Sequence, residues 1–232
     1  MKKLFSTFSR GERLLWCCSA ALILSAFLLF DRRNYLTLFA SLIGITSLLF
    51  SAKGNPIGQL LMVIFSLLYG IISHQRAYYG EMITYLSMTM PMAGFALISW
   101  LRNPFQGNHA EVTINRIHRW EWLALIPLTA AVTAAFFFIL AHFHTAYLPL
   151  STLSVTTSFL AVYLTFRRSP YYALAYAAND VVLIVLWGLA AMAQSAYLCV
   201  VVCFAAFLAA DLYGFICWRK MAARQAHLCT KA

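Results

Sequence analysis

Residues Arg167 to Trp187 read RRSPYYALAYAANDVVLIVLW, a charged turn running into a long apolar stretch that ends on a tryptophan. Inside the apolar part an amide and a carboxylate stand side by side, Asn179 and Asp180. Ionisable groups in hydrocarbon face a bundle interior or a water-filled cavity. On a helix, Tyr172, Tyr176, Asn179, Leu183 and Trp187 follow steps of four, three, four and four and form one stripe, with Asp180 at its edge. Two rings and an amide–acid pair on one face of a membrane helix mark the wall of a solute site.

The surroundings are of the same kind. The 232 residues are 62% hydrophobic and 10% charged, with mean hydropathy +0.77. Soluble domains are roughly a quarter charged, so this composition predicts an integral membrane protein. Its unbroken apolar runs exclude the alternating ten-residue pattern of a membrane barrel. Eight runs stand out: Leu14–Phe30, Tyr35–Ala52, Ile57–Ser73, Met82–Trp100, Trp122–Phe143, Leu148–Phe166, Tyr171–Ala193 and Tyr197–Trp218. Short links DRRN, KGNP and RRSP join several of them, with Pro56 and Pro170 at expected first-turn positions. The one long connection is Leu101 to Arg119. The basic start and first apolar run lack a small-x-small cleavage site before Asp31, so that run is read as a retained helix.

Charge tests the span count. Eight spans place Lys2, Lys3, Arg10, Arg13, Lys53, Arg102, Arg116, Arg119, Arg167, Arg168, Arg219, Lys220, Arg224 and Lys231 on one side. The other side receives Arg32, Arg33 and Arg76. This asymmetry predicts that the first side, with both termini, is cytoplasmic. It also accounts for the net charge of +10 without nucleic acid as a partner.

Two segments resemble each other. YLTL from Tyr35, then GITS, a proline and a closing ISW, parallels YLPL from Tyr147, then VTTS, a proline and ICW. Thr46-Ser47 matches Thr157-Ser158, Pro56 matches Pro170, and the spacing from Tyr79 to Trp100 equals that from Tyr197 to Trp218. Two three-helix units joined by one helix enter the membrane from the same side, as a parallel repeat. The expected organisation is a tail and extra helix (1–34), a first unit (35–101), a cytoplasmic loop and linker helix (102–146), a second unit (147–218) and a cytoplasmic tail (219–232). In this alignment Asn179-Asp180 falls opposite Phe65-Ser66, so the third span, with Gln59, Ser66, Tyr69 and Ser73, is the expected facing partner.

The strings GNPIGQLLMVIFSLLYGIIS, AYYGEMITYLSMTMPM, SPYYALAYAANDVVLIVLW and ADLYGF resemble the Pnu-type vitamin transporters, over nearly the whole of Tyr35 to Trp218. The resemblance implies a 3+1+3 bundle like that of the SWEET sugar facilitators, preceded here by an extra helix. It further implies a bacterial inner-membrane location and facilitated diffusion of nicotinamide riboside, trapped by a cytoplasmic kinase. Many members carry tryptophans one to two turns before the asparagine that matches Asn179. Here Tyr172 and Tyr176 stand there, which leaves thiamine, riboflavin and deoxynucleosides open as solutes.

A pyridinium nucleoside needs aromatic faces, groups for its ribose hydroxyls and a nearby negative charge. Tyr172, Tyr176, Asn179, Asp180 and Trp187 supply that set, against the alternative of plain interhelical polar contacts. Gln59, Ser66 and Tyr69 share a face of the third span, with helix-end hydrogen bonding the alternative for Gln59. Glu81 either joins the site or is solvated at an outer boundary, or pairs with Arg76. Asp211 lies deep enough in the eighth run to need a partner, a tyrosine or an inner-loop basic residue, with a functional role the alternative. Pro91 is a candidate kink and hinge. Ser41, Gly44, Ser47 and Ser51 make a close-packing stripe. Cys17, Cys18, Cys199, Cys203, Cys217 and Cys229 are read as free thiols, buried where they fall in spans. His142 and His144, in an outer loop, make no metal site. No catalytic set and no phosphate loop is apparent, and no cofactor is expected. A membrane-embedded enzyme or a seven-helix sensor is the competing class, and a homo-oligomer is left open.

Overall fold

The computed structural model describes residues 8–76 and 78–229. Lys2, Lys3 and Lys231 of the basic count, and Ala77 of the AYYG string, lie outside the described residues, as does the side chain of Cys229. Eight helices are long and apolar enough to cross a membrane: α1 (Arg10–Phe30), α2 (Tyr35–Ala52), α3 (Ile57–Gln75), α4 (Tyr79–Leu101), α5 (Arg119–His142), α6 (Leu148–Phe166), α7 (Tyr172–Ala193) and α8 (Leu198–Cys229). The chain is an all-α multi-pass membrane protein.

The ends show why the helices begin and stop where they do. Helix α1 starts one turn before the expected Leu14 because Ser9 and Glu12 form a capping box, Ser9 N–H to Glu12 Oε2 at 2.6 Å and Glu12 N–H to Ser9 Oγ at 3.2 Å. Pro56 and Pro170 stand one and two residues ahead of α3 and α7. The turns before them are built alike. Asn55 N–H bonds Phe50 O and Gly54 N–H bonds Ser51 O; Ser169 N–H bonds Leu164 O and Arg168 N–H bonds Thr165 O. Gly54 and Arg168 hold the positive φ such helix ends require.

Within the expected tail, residues 219–229 continue α8 as helix. In the 101–119 connection, β1 (Pro104–Phe105) and β2 (Asn108–Val112) pair antiparallel. They form a strap whose exit donates Val112 N–H to Gly54 O and Asn115 N–H to Arg168 O, the two positive-φ turn residues. Gln225 and Arg224 of α8 grip the strap from the other side, Gln225 Nε2 donating to Glu111 Oε1 at 2.8 Å and to Val112 O at 3.0 Å while Arg224 pairs with Glu111. Finally, Cys17 and Cys18 are exposed on α1, facing where lipid would lie, while Cys199 and Cys203 are buried and Cys217 is half-buried.

Pro91 acts through the turn before it. Thr84–Thr89 of α4 widens to a π-helix, and Met90 N–H bonds Tyr85 O, five residues back. A proline removes one backbone donor and crowds the carbonyl four residues before it; the wider turn accommodates both. His142 belongs to the last turn of α5, and His144 follows at positive φ.

Packing is reciprocal between the triplets α2–α4 and α6–α8. Helix α8 lies on α2, and α4 lies on α6. Trp100, on the last turn of α4, donates Nε1–H to Thr165 O at 3.0 Å; Trp218 of α8 donates to Ser51 O at 2.8 Å. Small residues allow the approach. A Cβ on Gly44 would come within 2.2 Å of the Phe207 ring, and one on Gly58 within 2.3 Å of Ser51 Oγ. Helix α1 is tied to this bundle at both ends, by Glu12–Lys53 at 3.1 Å and Asp31–Arg76 at 2.8 Å, with Trp16 Nε1–H donating to Thr46 Oγ1 between them. Glu121 anchors α5 to the end of α6 through Arg167 Nη2 at 2.7 Å and the Tyr163 hydroxyl at 3.0 Å.

Candidate solute site

The stripe on α7 is buried except at half-buried Tyr176, and at Trp187 it meets the other triplet. Asn179 is 2% exposed, and its Oδ1 accepts from both Thr157 Oγ1 at 2.8 Å and Ser158 Oγ at 3.0 Å of α6. With Oδ1 accepting from both hydroxyls, the NH2 points away from them. One residue on, Asp180 is 4% exposed, and its carboxyl faces that of Asp211 on α8, itself 3% exposed. The partner of Asp211 is thus another acid, where a tyrosine or basic residue was expected.

Two turns beyond Asn179, Trp187 donates Nε1–H to the Tyr69 hydroxyl of α3 at 2.7 Å. This bond joins the two helices that the repeat alignment set opposite each other. Around Tyr69 lies a set of rings: Phe65 at 5.6 Å, Tyr85 at 4.4 Å and Phe204 at 5.7 Å between centroids. Tyr78 and Tyr197 cover Trp187 from the far side, at 4.5 and 5.5 Å. Arg76 stacks over Tyr197 at 4.9 Å.

Glu81 is neither solvated nor paired with Arg76, since Arg76 is held by Asp31. It is 1% exposed, its Oε1 accepts from Ser154 Oγ of α6 at 3.1 Å, and its Oε2 has no partner. Tyr85, four residues after Glu81 on α4, brings its ring to 4.4 Å from that of Tyr69. Ser66 and Ser73, on the Tyr69 face of α3, have hydroxyls without partners, and so does Asp180 Oδ2. Most buried polar groups in proteins are hydrogen-bonded, so four such atoms in one region of a bundle need a reason.

Not every expected residue converges here. Gln59 is buried but donates Nε2–H to Ser51 Oγ at 3.2 Å, near the start of α3. Tyr172 packs on Trp218 at 4.7 Å and Trp100 at 6.4 Å, in a ring cluster between the site and the strap. Tyr176 stands between that cluster and the acids, 6.2 Å from the Tyr172 ring. Asn179, Asp180, Trp187, Ser66, Tyr69 and Glu81 are brought to the centre. Sequence reasoning gave no site role to Tyr85, Ser154, Thr157 or Ser158. The available signals were the four-residue step from Glu81 to Tyr85 and the Thr157-Ser158 pair, read only as a repeat marker. A groove of about 770 Å3 between α5 and α6 is apolar apart from threonine hydroxyls and carries none of this chemistry.

A family model described as nicotinamide mononucleotide transporter matches residues 34–220. A nicotinamide riboside transporter, PnuC, of Neisseria mucosa (strain ATCC 25996 / DSM 4631 / NCTC 10774 / M26) is 25% identical over 228 residues, which cover 96% of this chain and 86% of the relative. The fold is similar to that in the crystal structure of the vitamin B3 transporter PnuC, with TM-score 0.82, 22% identity and 94% of each chain covered. Helix α1 precedes the residues that the family model matches.

Proposed function

The chain belongs to the nicotinamide mononucleotide transporter family, and on that premise we propose that it carries nicotinamide riboside into the cell by facilitated diffusion. The observation that carries the choice of riboside over mononucleotide is the charge of the interior. Glu81, Asp180 and Asp211 are buried at the centre, and among the described residues no lysine, arginine or histidine is buried. A phosphate buried there would meet acids and no cation, whereas a pyridinium ring would meet carboxylates and aromatic faces. The Asn179 NH2 and the unpartnered Ser66 hydroxyl suit ribose oxygens.

The basic face, with the strap and both chain ends, is the cytoplasmic side of the bacterial inner membrane in this reading, following the positive-inside rule. The triplets form a parallel repeat that rocks around the site, a reading supported by the matching turns and the reciprocal indole bonds. Gln59, Tyr172 and Tyr176 belong to the solute path on the basic side of the site. No energy source is required of the chain itself; a cytoplasmic kinase retains the solute by phosphorylating it. Liposomes holding the pure protein test the reading: labelled nicotinamide riboside should enter and the mononucleotide should not. Equal entry of the mononucleotide, or entry of thiamine or a deoxynucleoside in place of the riboside, would overturn the choice of solute.

A further inference from the structure

The Asp180–Asp211 contact is not explained by solute recognition alone. Two carboxyl groups buried against one another without a cation are stable only when they hold protons. Among the described residues no lysine, arginine or histidine is buried, and none forms a salt bridge with either carboxyl. The titratable groups facing the pair are Tyr172 and Tyr176 of α7, Tyr85 of α4 and Cys203 of α8. All of these are neutral in their protonated form. Helices α2 and α6, which also pack here, bring no charged group to the pair. The positive charge that the site needs when empty must therefore come from protons.

We propose that the Asp180–Asp211 pair is a proton site that competes directly with a cationic solute, one proton leaving to water as the cation arrives. The geometry supports this on three counts. Asp180 follows Asn179 directly, so the pair lies against the solute wall. Asp180 Oδ2 is buried and unpartnered, open to an incoming charge. The exchange also keeps the charge of a buried region constant, which matters because an uncompensated charge in a membrane interior is expensive. On binding, one aspartic O–H breaks, its electron pair stays on the carboxylate, and the pyridinium takes the proton's place. The second proton remains shared between the two carboxyls. Transport stays downhill; pH sets how well the solute binds. The inference rests on the riboside reading above.

The test compares nicotinamide riboside with its reduced dihydropyridine form, which has nearly the same shape and no charge. Kd is measured by calorimetry on the detergent-solubilised protein between about pH 6 and pH 8. Release of one proton per solute raises the Kd of the cation by about tenfold for each unit of falling pH and leaves the reduced form unchanged. In weak buffer, the cation should release one proton per site and the reduced form none. In infrared difference spectra, a protonated-carboxyl band should disappear on adding the cation. The Asp180→Asn, Asp211→Asn double variant should lose the proton release; release that persists places the proton elsewhere and overturns the assignment. If that variant does not fold, the wild-type measurements suffice. A flat Kd for the cation, or an infrared band that is absent or unaffected by it, overturns the proton site while leaving the transporter reading intact. If neither riboside binds, the riboside reading falls, and the competition falls with it.

Discussion

Removing the hydroxyls that orient Asn179 should weaken solute binding without unfolding the protein. The perturbation is Thr157→Val together with Ser158→Ala. Each hydroxyl donates to Asn179 Oδ1, at 2.8 and 3.0 Å. A net intramolecular hydrogen bond contributes about 0.5–1.5 kcal/mol, so two contribute about 1–3 kcal/mol. Thr157 Oγ1 also lies 3.0 Å from Leu153 O and 3.1 Å from Ser154 O, and its bond to Asn179 is correspondingly diluted. That puts the expected loss in the lower half, about 1–2 kcal/mol, or roughly 5- to 30-fold in Kd. The cause is an amide no longer held with its NH2 toward the solute. Calorimetric titration with nicotinamide riboside reads the effect, and a thermal melt confirms that the variant is folded. Thr157→Ser, which keeps the hydroxyl, should bind like wild type. Asn179→Leu should bind more weakly than the double variant, because it removes the amide outright. A double variant that melts normally and binds within about twofold of wild type refutes the orienting role.

Three further outcomes follow from the packing. Tyr69→Phe strands the Trp187 Nε1–H in a buried setting and should lower stability by about 1–3 kcal/mol, with Trp187→Phe in the same chain recovering part of it in a thermal melt. Gly58→Ala places a methyl group 2.6 Å from Ser51 N and 2.9 Å from Ser47 O, backbone atoms that cannot swing aside, and should cost about 1–3 kcal/mol, whereas Gly94→Ala, mid-helix with nothing within 4 Å, should raise the melting temperature slightly. Asp31→Asn should leave Arg76 without its carboxylate and lower the melting temperature; Asp31→Glu, which keeps the charge, should lower it less.

The span count and most boundaries were legible because lipid leaves a plain record. A membrane helix needs an unbroken apolar run, and α2 and α6 begin and end where their runs do. The extension of α8 left no such record, since residues 219–229 mix basic and small apolar residues, and Gln225 and Arg224 tie the helix there to the strap. The strap was illegible for a related reason: its bonds run to turn carbonyls far along the chain. At the site, Asn179, Asp180 and Trp187 announced themselves as polar or amphipathic groups in an apolar run. Tyr85 did not, because its approach to Tyr69 depends on the widened turn of α4, which shifts the register of that helix's face. Thr46-Ser47 shows the limit of repeat logic. Its match, Thr157-Ser158, serves the amide, whereas Thr46 takes the indole of Trp16 and Ser47 donates to Gly58 O. Identical residues at matched positions thus do different work, because their neighbours differ: Trp16 of α1 reaches Thr46, and the amide of Asn179 reaches Thr157 and Ser158.

The reciprocal indole bonds have a mechanical consequence. Trp100 to Thr165 and Trp218 to Ser51 pin each triplet to the other at the face the strap also closes, while Trp187 to Tyr69 and Ser154 to Glu81 join them on the other side of the site. Were the second pair of bonds to open while the first held, the triplets would swing like scissor blades. For α3, 19 residues and about 28 Å long, a tilt of about 10° about such a pivot sweeps the free end through about 5 Å while the pinned end scarcely moves. The lever arm, not the strength of any contact at the wide end, then sets the size of the aperture. Small angular changes beside the two tryptophans are read out as large displacements on the opposite side of the membrane.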